Sequence, residues 1–394
     1  MPRNCAVYLV AEAILAGFGG FILPIYVLYF RFYNITLFQV ALLAAVFEAA
    51  VLISEIPTGL FADRWGRKLS VTIGFALFFF SGLVFIQYRN LTGFLVAEVF
   101  FGVAEAFISG AAEALAVDSL PAEGRNALLQ RLYTNRSRVR IAVKTVFMLA
   151  AGYAFLSDLS VTFYPVLFGG AAGLVTTFFF TSDARSSGAG EPARFLAPLR
   201  SMSRQIGALP VLKVIFLLSL IANFSFEAAD QYWQVLLSEV FTMDVRLYGF
   251  FTAAGAVLAF VLVGPIVRKF AGGLSTPLLI LLASGVFVST LPTAPVGMIP
   301  LVLILYFVTK ELISPLFSVA INSVIESEGR ATFLSGYNLT CSIGEVASGL
   351  IIGTIASMLG LPVVFIIGGS VLVVAVAVTL FSSRSDGTRP SATS

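Results

Sequence analysis

Twelve times between residues 6 and 382 the chain runs some twenty residues with few charges, and each run closes on a short polar break. Coiled as a helix, about 20 apolar residues match the hydrocarbon thickness of a bilayer. Lipid offers no water to a bare backbone, so every N–H and C=O must be satisfied inside the crossing element, which leaves helices. The runs predict spans at residues 6–30, 37–60, 69–88, 91–119, 136–157, 160–181, 210–238, 246–267, 275–294, 298–325, 332–358 and 361–382. With 58% hydrophobic residues and 38 phenylalanines, the sequence has too little polar surface to coat a water-soluble globule of 394 residues. The first run is longer than a signal-peptide core and lacks a small-residue cleavage site, so it is expected to be retained.

An even number of spans puts both termini on one side. With the termini inside, the inner segments collect 18 of the 24 lysines and arginines, and the outer segments hold only Arg31, Arg89 and Arg246. Arg140, Lys144 and Lys310 lie inside helices. Positive charge gathers on the cytoplasmic face of membrane proteins, so the expectation is a multi-pass protein of the cytoplasmic membrane with both termini cytoplasmic. Residues 182–209 turn to Ser, Gly, Ala, Pro and scattered Arg, which predicts a cytoplasmic linker between an N-terminal six-helix bundle, 1–181, and a C-terminal one, 210–382. Residues 383–394 are expected as a disordered cytoplasmic tail. Three echoes support duplicated halves: Gly59 with Arg64 against Gly264 with Lys269, Asp118 to Arg125 against Asn322 to Arg330, and the segment around Asn34 against that around Asp244.

The most charged stretch is GLFADRWGRK, residues 59–68, in which four of ten residues are charged although charged residues make up 11% of the chain. It is predicted as a cytoplasmic hairpin that turns at Gly59 and Gly66. The spacing G-x-x-x-D-R-x-G-R-K resembles the loop between helices 2 and 3 of the major facilitator superfamily. That resemblance implies an all-α integral membrane fold, twelve transmembrane helices in two pseudo-symmetric six-helix bundles, and transport by alternating access. It also implies a conformational switch made of Gly59, Asp63, Arg64, Gly66, Arg67, Lys68 and Asp118, in which Arg67 pairs with Asp118 and Asp63 faces the dipole of a helix in the other half. The chain departs from the branch that exchanges drugs for protons at two places. Glu98 stands where that branch has an arginine, with Gly102 and Ala106 in register, and AAGYAF from Ala150 stands where it has G-P-x-x-G-G.

Histidine is absent, which removes the usual metal ligand and the side chain that titrates near neutrality. Cys5 and Cys341 are far apart and are expected to be inert core thiols. No nucleophile elbow or Walker loop occurs, which disfavours an enzyme, and the basic residues are too dispersed for nucleic acid. No metal or cofactor is expected, the proton gradient being the energy source.

Carboxylates inside a membrane are costly unless paired, protonated or wetted, so those present carry the functional reading. Proton coupling is assigned to Glu98, Glu105 and Glu227, with Glu12 next, because desolvation favours the neutral acid and carboxyls are the groups left to exchange protons. Arg140 and Lys144 share a helix face and could pair with the stripe of Glu98, Glu105 and Glu113, or Arg140, close to the inner interface, could reach lipid headgroups instead. Glu227 and Asp230 would then be left to meet a cation. The substrate cavity is assigned to Tyr26, Lys144, Glu227, Asp230, Trp233, Lys310, Glu311 and Glu345, with at most one of Lys310 and Glu311 pointing inward. The expected function is secondary transport, as proton-coupled export of amphipathic or cationic compounds. An uptake symporter for a sugar, organic anion or other nutrient, and a lipid-handling or non-transporting relative, are the alternatives. The expected partners are a small-molecule substrate, protons and membrane lipid, with the chain a monomer.

Overall fold

The structure, a computed structural model, describes residues 1–181, 210–270, 274–325 and 330–385. The predicted linker, the end of the predicted tail and part of the echo at 322–330 lie outside them. Among the described residues there are thirteen α-helices and no strand. They are α1 (Arg3–Ile22), α2 (Tyr26–Phe32), α3 (Leu37–Trp65), α4 (Arg67–Gln87), α5 (Leu91–Asp118), α6 (Arg125–Ser157) and α7 (Tyr164–Thr177), followed by α8 (Pro210–Val235), α9 (Arg246–Phe270), α10 (Ser275–Thr290), α11 (Ile299–Val324), α12 (Arg330–Leu359) and α13 (Leu361–Ser385). Among the described residues eleven spans are long and apolar enough to cross a membrane; α7, preceded by a 3-10 turn at Leu159–Phe163, is a shorter apolar helix in the place of the sixth predicted span.

Three local predictions are corrected. The first span is not continuous: α1 ends at Ile22, and α2 starts at Tyr26. Pro24 between them has no N–H to donate, which breaks the intrahelical ladder there. The charged stretch is helix rather than hairpin. α3 starts from a capping box in which Thr36 Oγ1 accepts from Gln39 N and Thr36 N donates to Gln39 Oε1, and it runs unbroken through Gly59, Asp63 and Arg64 to Trp65. The reversal falls on one residue, Gly66, whose φ of 104° and ψ of 141° would force a side chain into its own backbone. α6 also starts earlier than predicted, at Arg125 rather than 136.

The chain forms two compact units, Met1–Glu191 with Met243–Ala253, and Pro192–Thr242 with Ala254–Ser394. In the first, α5 packs on α3 and α4, α4 on α7, and α1 on α5, α6 and α7. Lipid is as apolar as leucine, so tight packing and hydrogen bonds, rather than water exclusion, hold such helices together. Here the packing is aromatic: Phe85 and Phe163 stack at 3.8 Å, and Tyr29 Oη donates to Phe85 O at 2.9 Å. The exit from this unit is pinned, because Lys68 Nζ donates to Phe180 O at 2.7 Å, while Thr181 N and Oγ1 donate to Asn4 Oδ1 at 2.9 and 2.8 Å. In the second unit α8 packs on α12 and α13, and α10 on α11 and α13.

Candidate functional site

The charged motif positions its groups through the turn at Gly66. α4 starts on Arg67, and its guanidinium reaches across to Asp118 at the last turn of α5 to form an ion pair. Arg125 Nη2 stands 3.9 Å from the same carboxylate. Asp63 is exposed in the last turn of α3, and the Arg64 guanidinium lies 4.8 Å over the Trp65 ring.

A second charged group joins α1, α5 and α6. Glu12, 5% exposed, accepts from Arg136 Nη2 at 3.0 Å and from Arg140 Nη1 at 2.9 Å. Arg136 Nη1 also reaches Glu113 Oε2 at 3.0 Å, and Tyr133 Oη donates to Glu113 Oε1 at 2.8 Å. Of the two courses open to Arg140, neither gives its ion pair: that is with Glu12 on α1, while Glu113 of the α5 stripe belongs to Arg136 and Glu105 of the same stripe lies within the field of Arg140. Glu12, placed among the coupling acids from sequence, is clamped between two guanidiniums. Lys144, one turn beyond Arg140, is half-buried, and its backbone presses on α1 at Gly20, where a Cβ would come 2.6 Å from Lys144 O.

Glu98 is different. It is 1% exposed on α5, and its carboxylate accepts a hydrogen bond from Tyr26, the first residue of α2. The break after α1 thus delivers a phenol to a buried acid. Tyr26 packs edge-on against Phe30 at 4.8 Å. Glu105, the next acid of the stripe, is exposed, with Arg140 and Glu55 the charges that act on it.

In the second unit Lys310 forms an ion pair with Asp230, and Tyr306 Oη donates to the other oxygen of that carboxylate at 2.9 Å. Asp230 is therefore committed to Lys310 and Tyr306, where the sequence left it to meet a cation. Glu311 is exposed, consistent with the divergence of adjacent helical positions. Glu227 accepts from Gln231 Nε2 at 2.6 Å, with Asp230, Glu345 and Lys310 the charges around it. Trp233 is 2% exposed and edge-on to Phe307 at 5.6 Å, which makes it core rather than an open wall. Cys341, expected to be inert, is half-buried among polar groups, whereas Cys5 is fully buried.

The sequence reading missed Tyr133, Tyr306 and Gln231 and counted Arg136 only as an inner-segment charge. Two of these carried a signal: Tyr306 precedes Lys310, and Gln231 follows Glu227, by one helical turn. Among the described residues no group of three His, Cys, Asp or Glu could hold a metal.

The profile of the Major Facilitator Superfamily matches residues 9–310. An uncharacterized MFS-type transporter of Bacillus subtilis (strain 168), YxaM, is 24% identical over 370 residues, covering 88% of each chain. Multidrug resistance protein 2 of the same organism is 22% identical, over 96% of this chain and 95% of that one. Among solved structures, a mutant of the nucleoside transporter NupG superposes with a TM-score of 0.79 at 13% identity, over 96% of this chain and 99% of that one, which shows a shared fold. Eleven apolar spans with a shorter twelfth, the charged turn at Gly66 and a match over most of its length place the chain in the major facilitator superfamily, as a multi-pass membrane transporter of a small molecule and not an enzyme.

Proposed function

We propose that this chain is a proton-coupled exporter of amphipathic or cationic compounds. It would work as a monomer in the cytoplasmic membrane, with both termini inside, by alternating access of two bundles, residues 1–181 and 210–382. One observation carries the reading. Glu98 and Glu227 are held by neutral groups, Tyr26 and Gln231, whereas Glu12, Glu113, Asp118 and Asp230 are held in ion pairs. A carboxyl held by a phenol or an amide can gain or lose a proton without stranding a buried cation, and this is what a proton-driven cycle asks of it. Likeness to a multidrug resistance protein over nearly the whole chain supports export. The acidic surroundings of Glu227 suit a cation.

The test is transport of a lipophilic cation by purified protein in vesicles under an imposed pH gradient. Wild type should respond to the gradient, and Glu98→Gln or Glu227→Gln should lose that response while retaining substrate binding. A response to sodium with indifference to pH would sink the proposal. Uptake of a nutrient is the competing reading, favoured by the intramembrane cations Lys144 and Lys310. Accumulation of an anion that Lys144→Ala abolishes would select it.

A further inference from the structure

A groove of about 1020 Å³ runs along the first unit, with α1 as its floor and α6 and α7 as its walls. Leu9, Ala13, Gly17 and Phe21 recur along the floor in four-residue steps, which keeps them on one helix face. Val139 and Phe147 line it from α6, and Phe168, Gly169 and Ala172 from α7. Glycine closes the floor. A Cβ at Gly17 would come 3.4 Å from the Phe147 ring, and one at Gly169 would come 2.7 Å from the Phe18 ring, so both walls press directly on α1. Above the floor the walls part. α6 and α7 pack on α1 and on the 3-10 turn at Leu159–Phe163 far more than on each other. That turn, with Val161 and Tyr164 in the lining, shuts the groove at one end.

The lining selects the occupant. A site for a polar solute sets a few hydrogen-bonding groups among its apolar ones. Here the Tyr164 phenol, at the shut end, is the one polar side chain among the described lining residues. From Leu9 to Phe21 the floor runs about 18 Å at 1.5 Å per residue, a little over half of the roughly 30 Å of bilayer hydrocarbon. That is the reach of a lipid acyl chain within one leaflet. Charge orients it. At the open end Asn135 Nδ2 of α6 reaches Met1 Sδ at 4.0 Å, which brings the start of α1 to this turn of α6. Arg3 lies seven residues before Val10, on the face that forms the floor, and Arg131 and Arg138 share a face of α6 beside the one that carries Val139. All three arginines are exposed, and among the described residues none of them is in an ion pair, whereas Arg136 and Arg140 are bound by Glu12 and Glu113. The shut end carries the exposed Asp158 instead. We infer that the groove holds one resident anionic phospholipid, with an acyl chain laid along α1, its tail toward Tyr164 and its phosphate at the arginine end. The leaflet is the inner one in the orientation proposed above. Hydrocarbon gains nothing by leaving other hydrocarbon, so the residence comes from packing in the groove and from the headgroup charge. Each arginine near an anionic headgroup contributes about fivefold.

The test counts retained lipid by native mass spectrometry. Delipidated full-length protein in detergent is given equal amounts of dioleoyl phosphatidylglycerol and dioleoyl phosphatidylcholine, which differ in headgroup charge and share their chains. One phosphatidylglycerol per chain should be retained, preferred by at least about fivefold. Arg3→Gln with Arg138→Gln should bring that preference below about twofold while a lipid of either kind is still held. Ala172→Trp, at an exposed lining position, should fill the groove and cut retention of both lipids by at least about fivefold. Wild type supplies a measurement that no misfolded variant can confuse: dihexanoyl phosphatidylglycerol, with the same headgroup on chains too short to fill the groove, should fail to displace the dioleoyl lipid. Several lipids retained without headgroup preference, displacement by the short-chain lipid, or retention indifferent to Ala172→Trp would reduce the groove to ordinary boundary lipid and overturn the inference. A dimer mass that Ala172→Trp abolishes would overturn it in favour of a second copy of the chain. Detergent has no sides and the assay no gradient, so the result is independent of the proposed orientation and of proton coupling.

Discussion

Glu12 offers the sharpest test of what the charges on α1 and α6 do. Replacing it with Ala removes a carboxylate that is 5% exposed and leaves two guanidiniums that it bridged at 3.0 and 2.9 Å. Stranding one member of a buried pair costs about 3–5 kcal/mol. The low end applies, because Arg136 keeps Glu113 and the half-exposed Arg140 can turn its charge to water. A loss of about 3 kcal/mol corresponds to roughly 6–12 °C in melting temperature for a unit of this size. Glu113→Ala is the internal comparison. That side chain is 33% exposed and its partner Arg136 retains Glu12, so the loss should be nearer 1 kcal/mol, about 2–4 °C. Thermal unfolding followed by size-exclusion chromatography in mild detergent would rank the two. The reasoning fails if Glu12→Ala melts within about 2 °C of wild type or is milder than Glu113→Ala. It fails in a second way if Glu12→Gln leaves stability intact but abolishes the response to a pH gradient, for then Glu12 is a coupling acid.

Other outcomes follow from single residues. Gly66→Ala should cost about 1–2 kcal/mol because its φ lies in the region closed to L side chains, whereas Gly59→Ala, in open space on a helix, should be neutral or stabilising by up to about 1 kcal/mol; parallel melts compare them. Lys310→Met should destabilise by about 2 kcal/mol, discounted for the partial exposure of the pair, and adding Asp230→Asn should recover part of that loss, a cycle measurable by the same melts. Asp244, just before α9, has its carboxyl held below the usual carboxylate range by hydrogen bonds from the Arg246 side chain and backbone N–H. A depressed carboxyl contributes above its unfolded pKa and is lost only as pH falls through the folded one, so Asp244→Asn should leave the shape of the transport profile unchanged between about pH 5 and 8.

Spans were legible because twenty apolar residues admit one solution in lipid, and the break at Pro24 could have been read from the missing N–H alone. The Arg67–Asp118 pair came through the resemblance, not through spacing, since the two residues sit on different helices. Gly59 misled for a physical reason: glycine permits a turn but does not compel one, and the flanking Leu60, Phe61, Ala62 and Asp63 carry no barrier to helix. Arg140 misled for another. Spacing assigns a side chain to a helix face, but it is α1 that packs on α6, while α5 reaches that helix through Glu113 and Arg136, and only the packing selects Glu12.

The clasp of Asn4 on Thr181, with Lys68 on Phe180, holds the two ends of the 1–181 segment a hydrogen bond apart, the rest of the first unit, Met243–Ala253, arriving from later in the chain. A segment whose ends already touch is topologically a ring with one bond missing. A short peptide could close it, and a new start could then be cut at another surface turn, such as the one at Gly124, without dragging any helix from its neighbours. The same closeness restricts what can be attached. Asn4 is 7% exposed, so an affinity tag fused without a spacer would pull on the residue that fastens both ends.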